Sequence, residues 1–395
     1  LKRREFIKKS SLATGILASS SVLGSVGYNL LKDKIINIGI IGTGVRGKGL
    51  LNIIKNIEGL QVVACCDNIP FRLEEGIKLS NSLAKGHDNY LELLKDKTID
   101  AVIITVPFYL HAQVAIDALE AGKHVYCEKT LAKGYEGIQT LVNKVKNTNK
   151  IFQVGHQYHS SRLYRHVVEL IKERKVGTIS AFECQWNRHG NWRKPVPDPA
   201  LERQINWRMY KEYSGGLLAE LSSHQIEFVN WVLEANPDQV MGMGGVNYWK
   251  DGRETFDNIH LIYSYPNGVK AKFTCLTNNA NEGYQIKVIG DKGTILIDYD
   301  EVWFYPEGKK KIMDTDVDGV SGATAKANYN NGEEIKITHA DPTKQALIDF
   351  KINILDNKEP ESNIYTGARA AIAIQMGLDA LYNNEIVSWN PGFDI

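Results

Sequence analysis

The feature that most constrains this chain lies near its start, where Gly42-Thr43-Gly44-Val45-Arg46-Gly47 joins an apolar run to a helix-like run. Ile35 to Ile41 is short, β-branched and apolar, which predicts a buried strand. Beyond the glycines, Leu50, Leu51, Ile53, Ile54 and Ile57 fall at helical spacing, and Gly59 supplies a stop. Each glycine has a physical task in such a turn. Gly42 permits the tight bend, Gly44 lets the backbone approach a pyrophosphate, and Gly47 lets helix and strand pack closely. Thr43, Val45 and Arg46 complete the turn, and the helix N-terminus behind it favours phosphate charge. A glycine pattern alone is weak evidence. The strand before it and the helix after it make it a candidate dinucleotide site.

A second strand, Leu60 to Cys66, ends in Asp67, where a ribose-binding acid belongs. Its carboxylate would accept from ribose hydroxyls and repel a 2′-phosphate, which favours NAD over NADP. Arg72 lies close enough in sequence to blur that preference. Strand- and helix-like runs then alternate: Ala101 to Thr105, a helix from His111 to Ala121, Val125 to Cys127, a helix through Ile138, Leu141, Val142 and Val145, then Ile151 to Gly155. This alternation predicts an α/β, doubly wound Rossmann sheet over residues 32–155. Ligands of such sheets sit at the carboxyl ends of the strands. Thr105, Pro107, Glu128 and Lys129 should therefore open onto a cofactor cleft.

After Gly155 the pattern changes. A helix through Leu163, Val167, Leu170 and Ile171 precedes strand-like runs at Ile179–Trp186, Val240–Tyr248, Ile259–Tyr265, Val269–Leu276, Tyr284–Ile289 and Thr294–Asp298. Pro266-Asn267-Gly268 marks a hairpin. Residues 156–395 thus read as an α+β domain with a large, mostly antiparallel, open sheet. Gly319 to Asn331 reads as a surface loop. Thr343–Leu355 and Thr366–Tyr382 read as closing helices that pack back on the Rossmann domain.

The first 31 residues are of another kind. A basic start with Arg3-Arg4 and Phe6 leads into an uncharged Ser/Gly/Ala-rich stretch, which resembles a twin-arginine export signal. An uncleaved membrane anchor is the competing reading. Export would place the protein in the periplasm, with the twin-arginine machinery as a partner that carries it folded and cofactor-loaded. The net charge of +1 gives no field that calls for nucleic acid. The five cysteines lack any CxxC spacing, and most lie in apolar runs as small buried hydrophobes. His156, His159 and Cys184 match no zinc spacing, so no metal is expected.

Taken together, several segments resemble the glucose–fructose oxidoreductase and inositol dehydrogenase family (Gfo/Idh/MocA). They are the glycine turn, Thr105-Val106-Pro107 with His111, and Ala121 through Lys129. Further on come Ser214 through Glu220 with His224, and Gly290 through Thr294. The resemblance implies a cofactor-facing pair, Glu128 and Lys129, followed by proline, where this chain has Thr130. It implies an acid and a histidine four residues apart, here Glu220 and His224. It also implies oligomer packing through the free sheet face, for which Met243, Tyr263, Phe273 and Tyr284 are candidates, although they read equally as core.

The residues support the same chemistry on their own terms. A histidine near neutral pH is a natural base for an alcohol proton, and Glu220 at i, i+4 could orient its ring or bind substrate. Taken alone, the pair reads as a hydrogen-bonded helical histidine, and Glu128-Lys129 as a surface charge pair. Trp186, Arg188 and Trp192, with Tyr158, Arg162 and Tyr210, suggest a sugar pocket of aromatic faces and hydroxyl donors. The expected function is hydride transfer from a sugar, glycoside or polyol, with a tightly bound cofactor. A redox-neutral glycosidase that oxidises, eliminates, hydrates and re-reduces is one alternative. A non-catalytic, cofactor-bound sugar-binding module is another.

Overall fold

The computed structural model describes residues 34–80, 82, 84–308, 332–393 and 395. The segment read as an export signal and the loop at 319–331 lie outside them.

The glycine-led half forms a six-stranded parallel sheet in the order β3-β2-β1-β4-β5-β6. Its strands are β1 (Ile36–Ile41), β2 (Leu60–Cys66), β3 (Lys85–His87), β4 (Ala101–Ile104), β5 (His124–Cys127) and β6 (Phe152–Val154). The apolar runs read as buried strands because both faces of this sheet are covered. Ile36, Ile38 and Ile40 of β1 and Ala101 and Ile103 of β4 enter one core, while Ile41, Val102 and Ile104 enter the other. Helices α1 (Val45–Ile54), α2 (Pro70–Leu79), α3 (His111–Glu120) and α4 (Tyr135–Lys146) connect the strands. Helix α5 (Arg162–Lys172) leads out of the domain, capped by Ser161.

The second half carries a nine-stranded sheet in the order β14-β13-β12-β11-β7-β10-β9-β8-β15. The strands are β7 (Ile179–Trp186), β8 (Gln239–Gly245), β9 (Asn258–Ser264), β10 (Lys270–Leu276), β11 (Tyr284–Gly290), β12 (Gly293–Asp298), β13 (Glu301–Pro306), β14 (Glu333–Glu334) and β15 (Val387–Ser388). All neighbours are antiparallel except β7 and β10. Helices α6 (Ser223–Leu233) and α8 (Ile364–Asn383) cover one face. Tyr265 donates to Asn230 of α6 at 2.7 Å, and Tyr263 to the Ala373 carbonyl of α8 at 2.9 Å. Three of the four residues considered for the free face therefore lie in the core: Tyr263, Phe273 and Tyr284 are at most 2% exposed. Met243 is on the open face at 78%, together with Met241 and Ile262.

The C-terminal helices return to the first domain. Phe350 of α7 (Pro342–Asp356) meets Tyr126 edge to face at 5.7 Å, and Gln153 donates to the Ala346 carbonyl at 2.8 Å. Tyr135 of α4 donates to Asp379 of α8 at 2.7 Å. All five cysteines are buried free thiols.

Candidate functional site

A cleft of about 1220 Å³ runs from the glycine turn to the substrate domain. Its Rossmann wall comes from the carboxyl ends of β1, β2, β4 and β5. Gly42 has φ +96°, and a Cβ there would sit 2.8 Å from the Thr105 carbonyl carbon. At Gly47 a Cβ would fall 2.0 Å from the Gly42 oxygen, so this glycine packs inside the turn. Gly44 differs, because a Cβ there meets nothing nearer than Arg72 Nη1 at 3.9 Å and would project into open cleft. That is the opening a pyrophosphate needs. Thr43 stays buried, its N–H donating to Asp67 Oδ2 at 2.8 Å; Asp67 Oδ1 accepts from Ile69 N–H at 3.0 Å. Two fixed amides thus orient the Asp67 carboxylate, leaving lone pairs on the cleft side. Arg72 lines the same rim, and Val45 is 73% exposed toward the cleft. Thr105 hydroxyl donates to the Gly42 carbonyl, and Pro107 begins the turn after β4. His111 lies between two carbonyls, Thr130 at 2.8 Å and Val106 at 3.0 Å, and so ties together the loops after β4 and β5. Burial pulls its pKa down. Arg46 donates to Glu128 at 2.7 Å, joining the glycine turn to the β5 end.

Lys129 follows, and its peptide bond to Thr130 is cis. Thr130 donates to the Ala219 carbonyl at 3.0 Å. Lys129 Nζ donates to the Glu220 carbonyl at 2.7 Å and approaches that of Ala219 at 3.4 Å. An ammonium has three donors, so one remains for a ligand oxygen. Burial lowers the Lys129 pKa, against the pull of Glu220 and Glu128. The carbonyls belong to a π-helical turn, Leu218–Ser222, directly before α6. Such a turn inserts an extra residue and rotates the register. Glu220 and His224 therefore do not bond to each other, as i, i+4 spacing on an α-helix suggests. Glu220 instead accepts from Arg208 Nε at 2.7 Å. Burial pushes its carboxyl up, but Arg208 and Lys129 outweigh this and hold it below the usual range. His224 is 6% exposed and lines the cleft, and its Nδ1 has no partner among the described residues. Aromatic rings surround it: Tyr158 at 5.1 Å, His156 at 5.8 Å and Trp186 at 6.0 Å between centroids. This burial, with the positive charge of Lys129 nearby, holds its pKa well below 6.5. His224 is therefore a neutral imidazole at physiological pH.

Residues 36–156 match the oxidoreductase family with an NAD-binding Rossmann fold, and residues 164–296 match the Gfo/Idh/MocA C-terminal domain. The two matches together span more than half of the chain. The chain belongs to the Gfo/Idh/MocA family. Among its relatives, a 2,7-anhydro-N-acetylneuraminate hydratase of Escherichia coli is 29% identical over 272 residues, 68% of each chain. A glycosyl hydrolase family 109 protein of Shewanella pealeana is 28% identical over 233 residues, 53% of this chain and 50% of that one. A solved levoglucosan dehydrogenase in complex with NADH overlays with a TM-score of 0.73, covering 90% of this chain and 99% of that one. At 18% identity that likeness is one of fold.

This Gfo/Idh/MocA oxidoreductase thus has an NAD(P)-binding Rossmann domain facing a second domain across one cleft. Of the candidate sugar contacts, Trp186, Arg188 and Trp192 line the cleft. Tyr158 does not; it stacks on Tyr164 at 3.9 Å, behind His224. Arg162 is exposed on α5 away from the cleft, and Tyr210 donates to Glu202 at 3.1 Å outside its lining. The sequence reading missed Arg208, whose guanidinium lies 4.2 Å from the Trp207 ring centre, as well as Lys194 and Arg203. The available signal was the density of arginine and aromatic residues between Arg203 and Tyr213. Among the described residues, no group of three or more histidines, cysteines or acids is placed to hold a metal.

Proposed function

We propose that this protein oxidises a CH–OH group of a sugar, glycoside or polyol, using NAD. One observation carries this reading: Lys129 from the Rossmann domain and His224 from the second domain line the same cleft as the glycine turn. The cleft residues fit a dinucleotide. Gly44 leaves room for a pyrophosphate, and Asp67 lines the same cleft as a carboxylate that a ribose could meet. When bound, the nicotinamide supplies a hydride acceptor. His224, kept neutral by burial, takes the hydroxyl proton. Lys129, held by two carbonyls, donates its remaining N–H to the same oxygen and stabilises negative charge as it develops. Trp186 and Tyr158 give His224 an aromatic surround that disfavours its charged form. We extend the proposal to location: residues 1–31 direct twin-arginine export to the periplasm. Because no soluble nicotinamide pool exchanges there, the cofactor stays bound, and the hydride it takes from one sugar must pass to the carbonyl of a second sugar before the next turnover.

A second reading is favoured by the relatives' names, hydratase and glycosyl hydrolase, which denote reactions without net oxidation. In that reading the same base and lysine serve a glycosidase that oxidises, eliminates, adds water and re-reduces. The test is a panel of sugars and nitrophenyl glycosides given to cofactor-loaded protein. Reduction of the bound nicotinamide by free sugars supports the first reading, and aglycone release without added oxidant selects the second. A cofactor-loaded protein that responds to no member overturns both and leaves a binding module.

A further inference from the structure

The cations on the substrate side of the cleft are unevenly neutralised. The segment after β7 carries Arg188, Arg193 and Lys194. Arg193 pairs with Glu202, reaches Asp251 Oδ2 at 3.5 Å and donates to the Asp251 carbonyl at 2.9 Å. Arg203 pairs with Glu212 at 2.9 Å, and Arg208 with Glu220 at 2.7 Å. Arg188 and Lys194 also line the cleft, yet among the described residues neither has a carboxylate partner. The cleft's own acids offer them none. Glu128 and Glu220 are taken by Arg46 and Arg208, while Asp67 and Asp88 lie at the strand ends of the Rossmann wall.

The backbone that carries Arg188 is nevertheless held in place, while its side chain is exposed. Its N–H donates to the Leu276 carbonyl at 2.8 Å, Asn187 donates to Gly283 at 2.6 Å, and Gly190 to Thr277 at 3.0 Å. The buried Arg253 anchors the same segment by donating to the Asn191 carbonyl at 2.6 Å. The Arg188 guanidinium lies over the Trp186 ring at 5.3 Å, and that ring is 6.0 Å from His224. The base and the unpaired guanidinium thus flank a single indole. A guanidinium oriented on an aromatic face presents its planar fork to an oxyanion, and Lys194 adds a second charge without fixed geometry.

We infer that the sugar taken by this site carries an anionic group, a carboxylate or a sulfate, received by Arg188 with Lys194 while the ring lies beside Trp186 and His224. The inference rests on the reading of the site as a sugar oxidoreductase and names the class of sugar. Both side chains are exposed, so a neutral sugar would leave their charges to water alone. An acidic one replaces their hydration with charge-assisted hydrogen bonds.

The experiment compares matched pairs on the full, NAD-loaded chain: glucuronate against glucose, nitrophenyl β-glucuronide against nitrophenyl β-glucoside, and glucose 6-sulfate against glucose. The readouts are KM for bound-cofactor reduction or aglycone release, and quenching of tryptophan fluorescence on binding. The acidic member should show a KM about tenfold lower or better, the scale of one charged hydrogen bond. Added salt should erode that ratio. Arg188→Gln should bring acid and neutral together, and Lys194→Gln should do so in part. The uronate and sulfate arms tell which anion is taken. If neutral sugars reduce the cofactor as well as their acidic twins, or if the preference survives both substitutions together, the inference is overturned while the oxidoreductase reading stands. If the loaded protein responds to neither kind, both fall.

Discussion

Glu220 holds two cations of the cleft by two different groups. Its carboxylate accepts from Arg208 and its carbonyl from Lys129, each at 2.7 Å. Glu220→Gln removes only the first charge, so Lys129 should stay in place while Arg208 loses its anchor. We expect KM for sugar to rise about tenfold with a smaller change in kcat. The stability cost should be on the order of 1 kcal/mol, well short of a fully buried pair, because the Arg208 side chain is 39% exposed. Steady-state kinetics and urea unfolding check this; a loss confined to kcat would contradict it. The spacing of Glu220 and His224 was legible in the sequence, but their separate allegiances were not. Nothing in Leu218–Ser222 announces a π-turn, and i, i+4 reads as one helical face until the extra residue rotates it. Arg208 was missed for a related reason: it reaches the cleft from a 3₁₀ turn, Trp207–Met209, too short to show periodicity, so only the local density of arginine and aromatic residues pointed to it.

At the scale of elements, the glycine turn separates space for folding from space for a ligand. Gly47→Ala would drive a methyl against the Gly42 oxygen and should cost about 1–3 kcal/mol, seen as a lower melting temperature. Gly44→Ala meets only Arg72 Nη1, at an ordinary contact distance of 3.9 Å, so its melting temperature should hold while co-purified cofactor is lost. Equal effects of the two substitutions on stability would contradict the assignment. The strand–turn–helix unit was legible because β1 is buried on both faces, and a continuous apolar run then needs no alternation to identify it. In the second sheet the strands were legible and their facing was harder to assign. Tyr284 shares parity with Ile286 and Val288, and Phe273 with Ala271 and Cys275, which sends all of them inward. A ring in a strand is easily read as a surface contact when that parity is not weighed. Strand β13 went unread because its charged start and terminal proline frame only a short apolar run.

For the whole molecule, the two domains meet around buried histidines that the fold keeps neutral. His156 is 1% exposed with both ring nitrogens unpaired among the described residues, and burial, its largest influence, brings its pKa to about 4. His224 is also held well below 6.5. Unfolded histidines titrate near 6.5. Below that pH the unfolded chain binds protons that the native state refuses, so stability should fall as pH drops from 6.5 toward 4. The slope should be about 1.4 kcal/mol per pH unit for each such histidine. Urea unfolding at pH 7 and pH 5 checks this, and His156→Phe should flatten the slope by one histidine. Stability unchanged between these pH values would contradict it. The same closed environment makes His224 a proton acceptor at neutral pH. The most direct measurement is therefore the single-turnover rate of bound-nicotinamide reduction by sugar in wild type and His224→Ala, with cofactor content measured in both. The account predicts equal cofactor content and a rate at least about 10²-fold slower in the variant. Equal rates with equal cofactor would contradict it.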